Sequence, residues 1–316
     1  MGKLSDDKNI VSSDNHVVEI DEESVAIRVF ELCENSVLKV EASYEGSSSN
    51  NGPFGSLETA AGIGTGFMWD FDNHAVTNAH VVHRATSIRV RFPECKLPSH
   101  FYDASVVGID DVRDIAVLLL HPNCDPECDS SIPKLPPPLR RGSSRGLKVG
   151  QRIYTLGNMF GLELTLSTGI ISGLGRELPT SARKRPLFNI IQTDAAQNPG
   201  SSGGPLLNST MEVIGMSCAI ATPSGGFAGV SFALGIDIVS RSVSEILKFG
   251  RCRMVYLGIG FADEVVGRRL GIRGLAVLRV EPKGPASNSG IRSTRLTDSS
   301  SGKLVLGDIL IRLDNH

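Results

Sequence analysis

Along this chain apolar residues fall in short runs with a spacing near two, and a helical spacing is rare. The runs include "GTGFMWD" (64–70), "HAVTNAHVV" (74–82), "SIRVRF" (87–92), "ASVVGID" (104–110), "DIAVLLL" (114–120), "QRIYTLGN" (151–158), "LTLSTGIISGL" (164–174), "FNIIQTD" (188–194), "EVIGMSCAI" (212–220) and "GVSFALGI" (229–236). Gly, Pro, Asn and Asp separate them at short intervals, and strands punctuated in this way predict an all-β sandwich or barrel. The Pro-rich "IPKLPPPLRRGSSRG" (132–146) splits the series. That predicts two β-barrels, at about residues 36–120 and 147–238, joined by an extended linker. One helical pattern follows. In "DIVSRSVSEILKFG" (237–250) Val239, Val243, Ile246 and Leu247 stand at i, i+4, i+7, i+8, and Gly250 sits where a left-handed C-terminal cap belongs.

The flanks read differently. Residues 1–23 are polar and acidic and are expected to be disordered, whereas 24–42 predict a short helix feeding the strand "SVLKVEA". A Gly/Ser/Asn-rich loop covers 45–62. After "RCRMV" a second strand-rich unit runs from about 255 to 316. The expected organisation is therefore a disordered 1–23, a two-barrel domain over 24–250, and a smaller unit over 255–316.

Candidate chemistry concentrates in "QTDAAQNPGSSGGPLL" (192–207), a Gly/Ser turn between two apolar runs and hence a tight loop in a folded core. A serine hydroxyl is a poor nucleophile unless a base, usually a histidine oriented by a carboxylate, stands beside it. Of the seven histidines, His80 lies at the end of a strand-like run, while His74 and His83 lie in or beyond turns. In "DDVRDIAVLLL" Asp114 stands at the mouth of the buried run, and Asp110 and Asp111 belong to the preceding turn, where they are expected to be solvated. The order His80, Asp114, Ser202 is that of chymotrypsin-type double β-barrels. Gly200 tolerates the unusual backbone that an oxyanion hole needs. The hole is assigned to the segment Gly200, Ser201, Ser202, with the N–H groups of the first and last as donors and Ser201 as spacer.

Composition narrows the picture. At 316 residues, 41% hydrophobic and 21% charged, the chain has globular composition, and a formal net charge of −2 gives no general attraction to nucleic acid or anionic membrane. The charge-free run 213–236 holds five glycines and a proline, so it reads as strands and turns and no membrane span is expected. The basic clusters 140–145 and 182–185 read as solvated surface. Six cysteines without a CxxC pair exclude a disulfide scaffold. The one local cluster, His121, Cys124 and Cys128, lacks a second ligand pair, so neither a metal nor another cofactor is expected.

Taken together, "GTGFMWD…AVTNAHVV", "DIAVLLL", "LGN", "STGIISGLGRE" and "QTDAAQNPGSSGGPLL" resemble the HtrA/Deg (protease Do-like) family of ATP-independent serine endopeptidases. The tail, "YLGIGFADE…LGIRGLAVLRVEPKGPASNSGI…LVLGDILIRLD", resembles the first part of that family's PDZ domain, in text similar to plant plastid Deg proteases. The resemblance covers about residues 24–316. It implies a chymotrypsin-like double β-barrel protease domain with a C-terminal helix, followed by an incomplete PDZ-like domain, with His80, Asp114 and Ser202 as the triad. Three positions depart from the family text: Ser201 for Asn, Met159 for Pro in "LGNMFG", and Gly235 for Pro in "SFALG". None is a triad member, and Ser201 is expected to loosen the oxyanion loop and lower turnover.

The resemblance implies unfolded or damaged proteins as substrates. Ala196 and the uncharged stretch containing Ile220 and Ala221 predict a neutral, apolar primary pocket suited to small or medium aliphatic residues. Glycines 225, 226 and 229 are expected to make that wall mobile. The PDZ-like tail implies capture of a peptide C-terminus near Leu257, Gly258 and Ile259, weakened because the text stops before a last helix and strand. The family's trimer contact falls on Phe30, which implies a homo-oligomer, a trimer or a multiple of one. It also implies a chloroplast location, lumen or stroma, although no targeting segment is visible at the N-terminus. An intact triad favours an active peptidase over a non-proteolytic holdase on the same fold.

Overall fold

The structure, a computed structural model, describes residues 21–44, 62–93, 101–121, 135–178, 186–218, 229–253, 255–262, 267, 269, 271–296 and 304–312. The chain divides into two compact units, residues 1–252 and 253–316. The first unit begins with helix α1 (Glu22–Cys33), capped by the Asp21 carboxylate, which accepts the Glu23 N–H. The helix thus starts at Glu22, slightly before the apolar pattern does.

Six antiparallel strands then close the first barrel: β1 (Val37–Ser43), β2 (Gly62–Met68), β3 (His74–Thr77), β4 (Ser87–Arg91), β5 (Tyr102–Asp110) and β6 (Ile115–His121), in the order β1-β2-β3-β6-β5-β4. The second barrel is built from β7 (Arg152–Gly157), β8 (Thr165–Leu178), β9 (Leu187–Thr193), β10 (Pro205–Leu207), β11 (Val213–Ser217) and β12 (Ser231–Gly235), in the order β10-β11-β12-β9-β8-β7. This is the double barrel expected from the strand text. Alternation along the strands fills both interiors. Leu38, Val40, Met68, Val90, Leu118 and Leu120 face into the first barrel, and Ile153, Ile171, Ile191, Leu206, Ile214 and Ala233 into the second.

A third apolar cluster joins the barrels to both long helices. It unites Val29 of α1, Phe67, Val76 and Val117 of the first barrel, Leu156 and Leu207 of the second, and Val239, Val243 and Ile246 of α3 (Ile236–Phe249). α3 ends as the text predicts: Gly250 has a φ of 70° and returns its N–H to the Ile246 carbonyl. Part of the basic linker is structural. The Arg141 guanidinium lies 4.3 Å over the Trp69 ring and donates to the Trp69 carbonyl, so this residue is not merely solvated surface.

The second unit contains a sheet of β13 (Ile259–Phe261), β14 (Leu275–Val280) and β17 (Ile309–Leu310), and a pair of β15 (Arg295–Leu296) with β16 (Leu304–Val305). Among the described residues no helix is long and apolar enough to cross a membrane.

Candidate active site

His80 is positioned by a change of backbone geometry. β3 stops at Thr77, Asn78 takes an extended conformation, and the single helical turn α2 (Ala79–Val82) follows. His80 therefore sits on a helical turn just past the strand, not on the strand end that its apolar text suggests. The partner comes from the turn between β5 and β6. Asp114, 2% exposed, has a φ of 64°, a left-handed value that costs a non-glycine residue about 1–2 kcal/mol. Its surroundings hold it there. The Asn78 side-chain amide donates to the Asp114 carbonyl at 2.8 Å, and the His80 N–H donates to Oδ1 at 2.9 Å. His80 Nδ1 lies 2.7 Å from Oδ2. An ionised carboxylate only accepts, so Nδ1 carries the proton and Nε2 presents a lone pair. That is the arrangement of a general base.

The neighbouring acids have other roles. Asp111 is exposed, 3.5 Å from His83 Nδ1, and Asp70 pairs with His74. Asp110 corrects the expectation of a solvated turn residue: it is 2% exposed. It accepts from Ser242 Oγ of α3 at 2.7 Å, from the Arg113 guanidinium at 2.8 Å and from the N–H groups of Val112 and Arg113. Burial alone would push its carboxyl up, but these donors hold it below the ordinary carboxylate range. The network pins the turn that ends in Asp114.

The serine loop shows its purpose in its hydrogen bonds. Every carbonyl from 199 to 202 is taken. Pro199 O accepts from Phe160 N–H (2.7 Å), Gly200 O from Thr65 Oγ (2.6 Å), Ser201 O from Gly204 N–H (3.0 Å) and Ser202 O from Thr65 N–H (2.8 Å). The N–H groups of Ser201, Gly203 and Gly204 donate to Asn198, Ser217 and Ser201. Among the described residues the N–H groups of Gly200 and Ser202 have no partner, and these are the two assigned to the oxyanion hole. Ser201 contributes no free donor, because its N–H and its hydroxyl both go to Asn198 O at 2.9 and 2.8 Å. It ties the loop, contrary to the loosening expected from its departure from the family text.

Gly200 and Gly203 are required where they stand. Their φ values are 98° and 86°. A Cβ would strike the Asn158 carbonyl in one case and the Thr65 carbonyl in the other. A Cβ on Gly203 would also lie 3.0 Å from Asn78 N, so the residue after Ser202 packs against the start of the turn that carries His80. No hydrogen bond joins Ser202 to His80 among the described residues. Apo sites often hold nucleophile and base loosely.

Two positioning residues were not visible in the text. Thr65 of β2 bonds both the Gly200 and Ser202 carbonyls across the barrel interface, and its hydroxyl also accepts the Asn158 N–H at 2.9 Å. Asn78 fixes Asp114. Neither carries a local signal, because their partners are remote in sequence.

Of the other expected positions, Ala196 is half-buried, and Ile220, Ala221 and glycines 225 and 226 lie outside the described residues. So do Cys124, Cys128 and the 182–185 cluster. His121 pairs with Ser105 Oγ at 2.8 Å, and no group of three metal-ligating side chains occurs among the described residues. Phe30 is partly buried against its own chain's core. In the second unit Gly258 has a φ of 72°, and the Leu257 and Gly258 carbonyls accept from Ala286 and Glu281 N–H.

Comparison with known proteins agrees with the double-barrel fold. The trypsin-like peptidase domain family matches residues 64–216. Protease Do-like 1, chloroplastic, of Arabidopsis thaliana is 43% identical over 254 residues, covering 80% of this chain and 54% of that protein. The crystal structure of Deg5 is 31% identical with a TM-score of 0.57, covering 73% of this chain and 98% of the other. The HtrA-type protease AlgW with tripeptide is 25% identical with a TM-score of 0.66, covering 88% and 85%. The chain spans about half the length of the curated relatives it matches.

Proposed function

The chain belongs to the HtrA/Deg (protease Do-like) family of trypsin-like serine proteases, and on that footing we propose that its first unit is an ATP-independent serine endopeptidase acting on unfolded or damaged proteins. The observation that carries the reading is the coincidence of two arrangements. One is a buried carboxylate holding an imidazole by Nδ1. The other is a serine loop in which the N–H groups of Gly200 and Ser202 have no partner among the described residues.

In the reaction His80 Nε2 takes the Ser202 Oγ proton as the oxygen attacks a peptide carbonyl. The N–H groups of Gly200 and Ser202 receive the oxyanion, and Asp114 stabilises the imidazolium. His80 then passes the proton to the leaving amine, and water hydrolyses the acyl-serine by the same route. The chloroplastic relative supports a plastid location. Apolar Ile27 and Leu32 stand exposed on α1 near Phe30, which supports a self-association face there. The second unit, with its Leu257–Ile259 edge, is assigned to peptide capture.

A fluorophosphonate probe tests the central claim. It should label the wild type on Ser202 and leave Ser202→Ala and His80→Ala unlabelled. Equal labelling of the wild type and Ser202→Ala overturns the assignment.

A further inference from the structure

The mouth of the second barrel beside Ser202 carries hydrogen-bonding groups that have no partner among the described residues. Residues directly opposed on paired strands project from one face of the sheet, as do residues two apart along a strand. Ser217 stands opposite Ala233, Ala233 opposite Ile191, and Ser231 opposite Thr193. Ala233 and Ile191 belong to the barrel's interior cluster, so Ser217, Ser231 and Thr193 share that interior face. They lie at the nucleophile's end of the barrel. Gly203 N–H donates to the Ser217 carbonyl at 3.0 Å, and Ser217 N–H donates to the Gly204 carbonyl at 2.8 Å.

The pattern of burial on β9 continues past the strand's end. Residues 191, 193, 195 and 197 are buried, and 192, 194 and 196 are not. The last buried position is Gln197, in the segment leading to Gly200. The Ser217 and Ser231 hydroxyls and both ends of the Gln197 amide are fully buried and have no hydrogen-bond partner among the described residues. Thr193 differs, because its hydroxyl accepts the Ala195 N–H at 3.1 Å. Thr155, also unpartnered, lies deeper in the barrel, opposite Leu206. An unpaired buried polar group carries a desolvation cost, and proteins keep such groups where water or a ligand completes them.

We propose that Gln197, with Ser217 and Ser231, determines specificity by selecting a small uncharged hydrogen-bonding side chain, threonine or serine, immediately before the cleaved bond. The inference rests on the proteolytic reading above. Ala195, Ala196 and Ala233 keep the surroundings small, and these groups offer no counter-charge to a lysine or arginine. Valine has threonine's shape, but its methyl would leave the amide and the hydroxyls dry and unpaired. This replaces the aliphatic preference expected from Ala196 with one for a hydroxyl-bearing side chain.

The test uses two otherwise identical peptide substrates with threonine or valine before the cut. A site built to bond a hydroxyl discriminates strongly against the analogue lacking it, so the wild type should favour threonine in kcat/KM by about 10-fold or more. Gln197→Met, similar in volume but apolar, should bring the ratio to one or below, and Ser217→Ala should lower it. Gln197→Ala serves as a second variant if methionine impairs folding. A wild-type preference for valine, or a ratio unmoved by the Gln197 and Ser217 variants (the groups then holding only water), overturns the proposal. Labelling by the fluorophosphonate probe with cleavage of neither peptide overturns it while leaving the nucleophile intact. Loss of labelling and cleavage together removes the proteolytic reading and this inference with it.

Discussion

Replacing Thr65 with valine should damage stability and catalysis together. The threonine hydroxyl donates to the Gly200 carbonyl at 2.6 Å and accepts the Asn158 N–H at 2.9 Å, all in buried surroundings. Valine keeps the shape and the strand propensity but leaves both backbone groups unpaired. Each buried orphan costs about 1–3 kcal/mol, so the pair costs roughly 2–6 kcal/mol. For a unit of this size about 4 kcal/mol lowers Tm by roughly 8–16 °C. Catalysis should suffer because the Gly200 carbonyl fixes the peptide between the two proposed oxyanion donors. Misplacing one such donor costs about 10²–10³ in kcat. The assay is thermal unfolding together with kcat and KM on a peptide substrate, measured well below the lowered Tm. Thr65→Ser retains the hydroxyl and should stay near wild type in kcat. The reasoning fails if Thr65→Val matches the wild type in both measurements, or if Thr65→Ser is as impaired in kcat as Thr65→Val.

Two further outcomes follow from the carboxylates. In Asp114→Asn either orientation of the amide sets an NH2 against a His80 donor, so one bond is lost or the imidazole takes the wrong tautomer. kcat should fall by about 10⁴, whereas exposed Asp111→Asn should remain near wild type; the reverse ranking on a casein digest refutes the assignment. The Asp110 carboxyl is held below its ordinary range. Its contribution to stability is therefore complete above the unfolded carboxylate pKa of about 3.9 and disappears as pH falls below that value toward the depressed folded one. Asp110→Asn should accordingly lower Tm at pH 7 and flatten its decline below about pH 4; parallel pH profiles of Tm for the two proteins would show that Asp110 is not a source of the acid dependence.

Much of this protein was determined by the sequence alone, because its elements are coded by short-range patterns. Alternation of apolar residues marks the strands, and i, i+4, i+7 spacing with a terminal glycine marks α3. The candidates His80, Asp114 and Ser202 were chosen from residue type and their places beside apolar runs, and the structure brings His80 and Asp114 together. Short elements were harder to read. α2 is a single turn rich in valine, so its text reads as strand, and β10 reads as the end of a glycine loop. What only the tertiary structure decided are contacts between distant segments. Asp110 is buried because α3 brings Ser242 to it from 132 residues away, and Thr65 reaches Gly200 across 135. Gln197 is an unremarkable polar letter until barrel closure buries it without a partner among the described residues. Hydrophobic periodicity records which face of an element is dry, but not which remote donor or acceptor will meet a polar group there. Chain closure and packing settle that pairing, and with it the site.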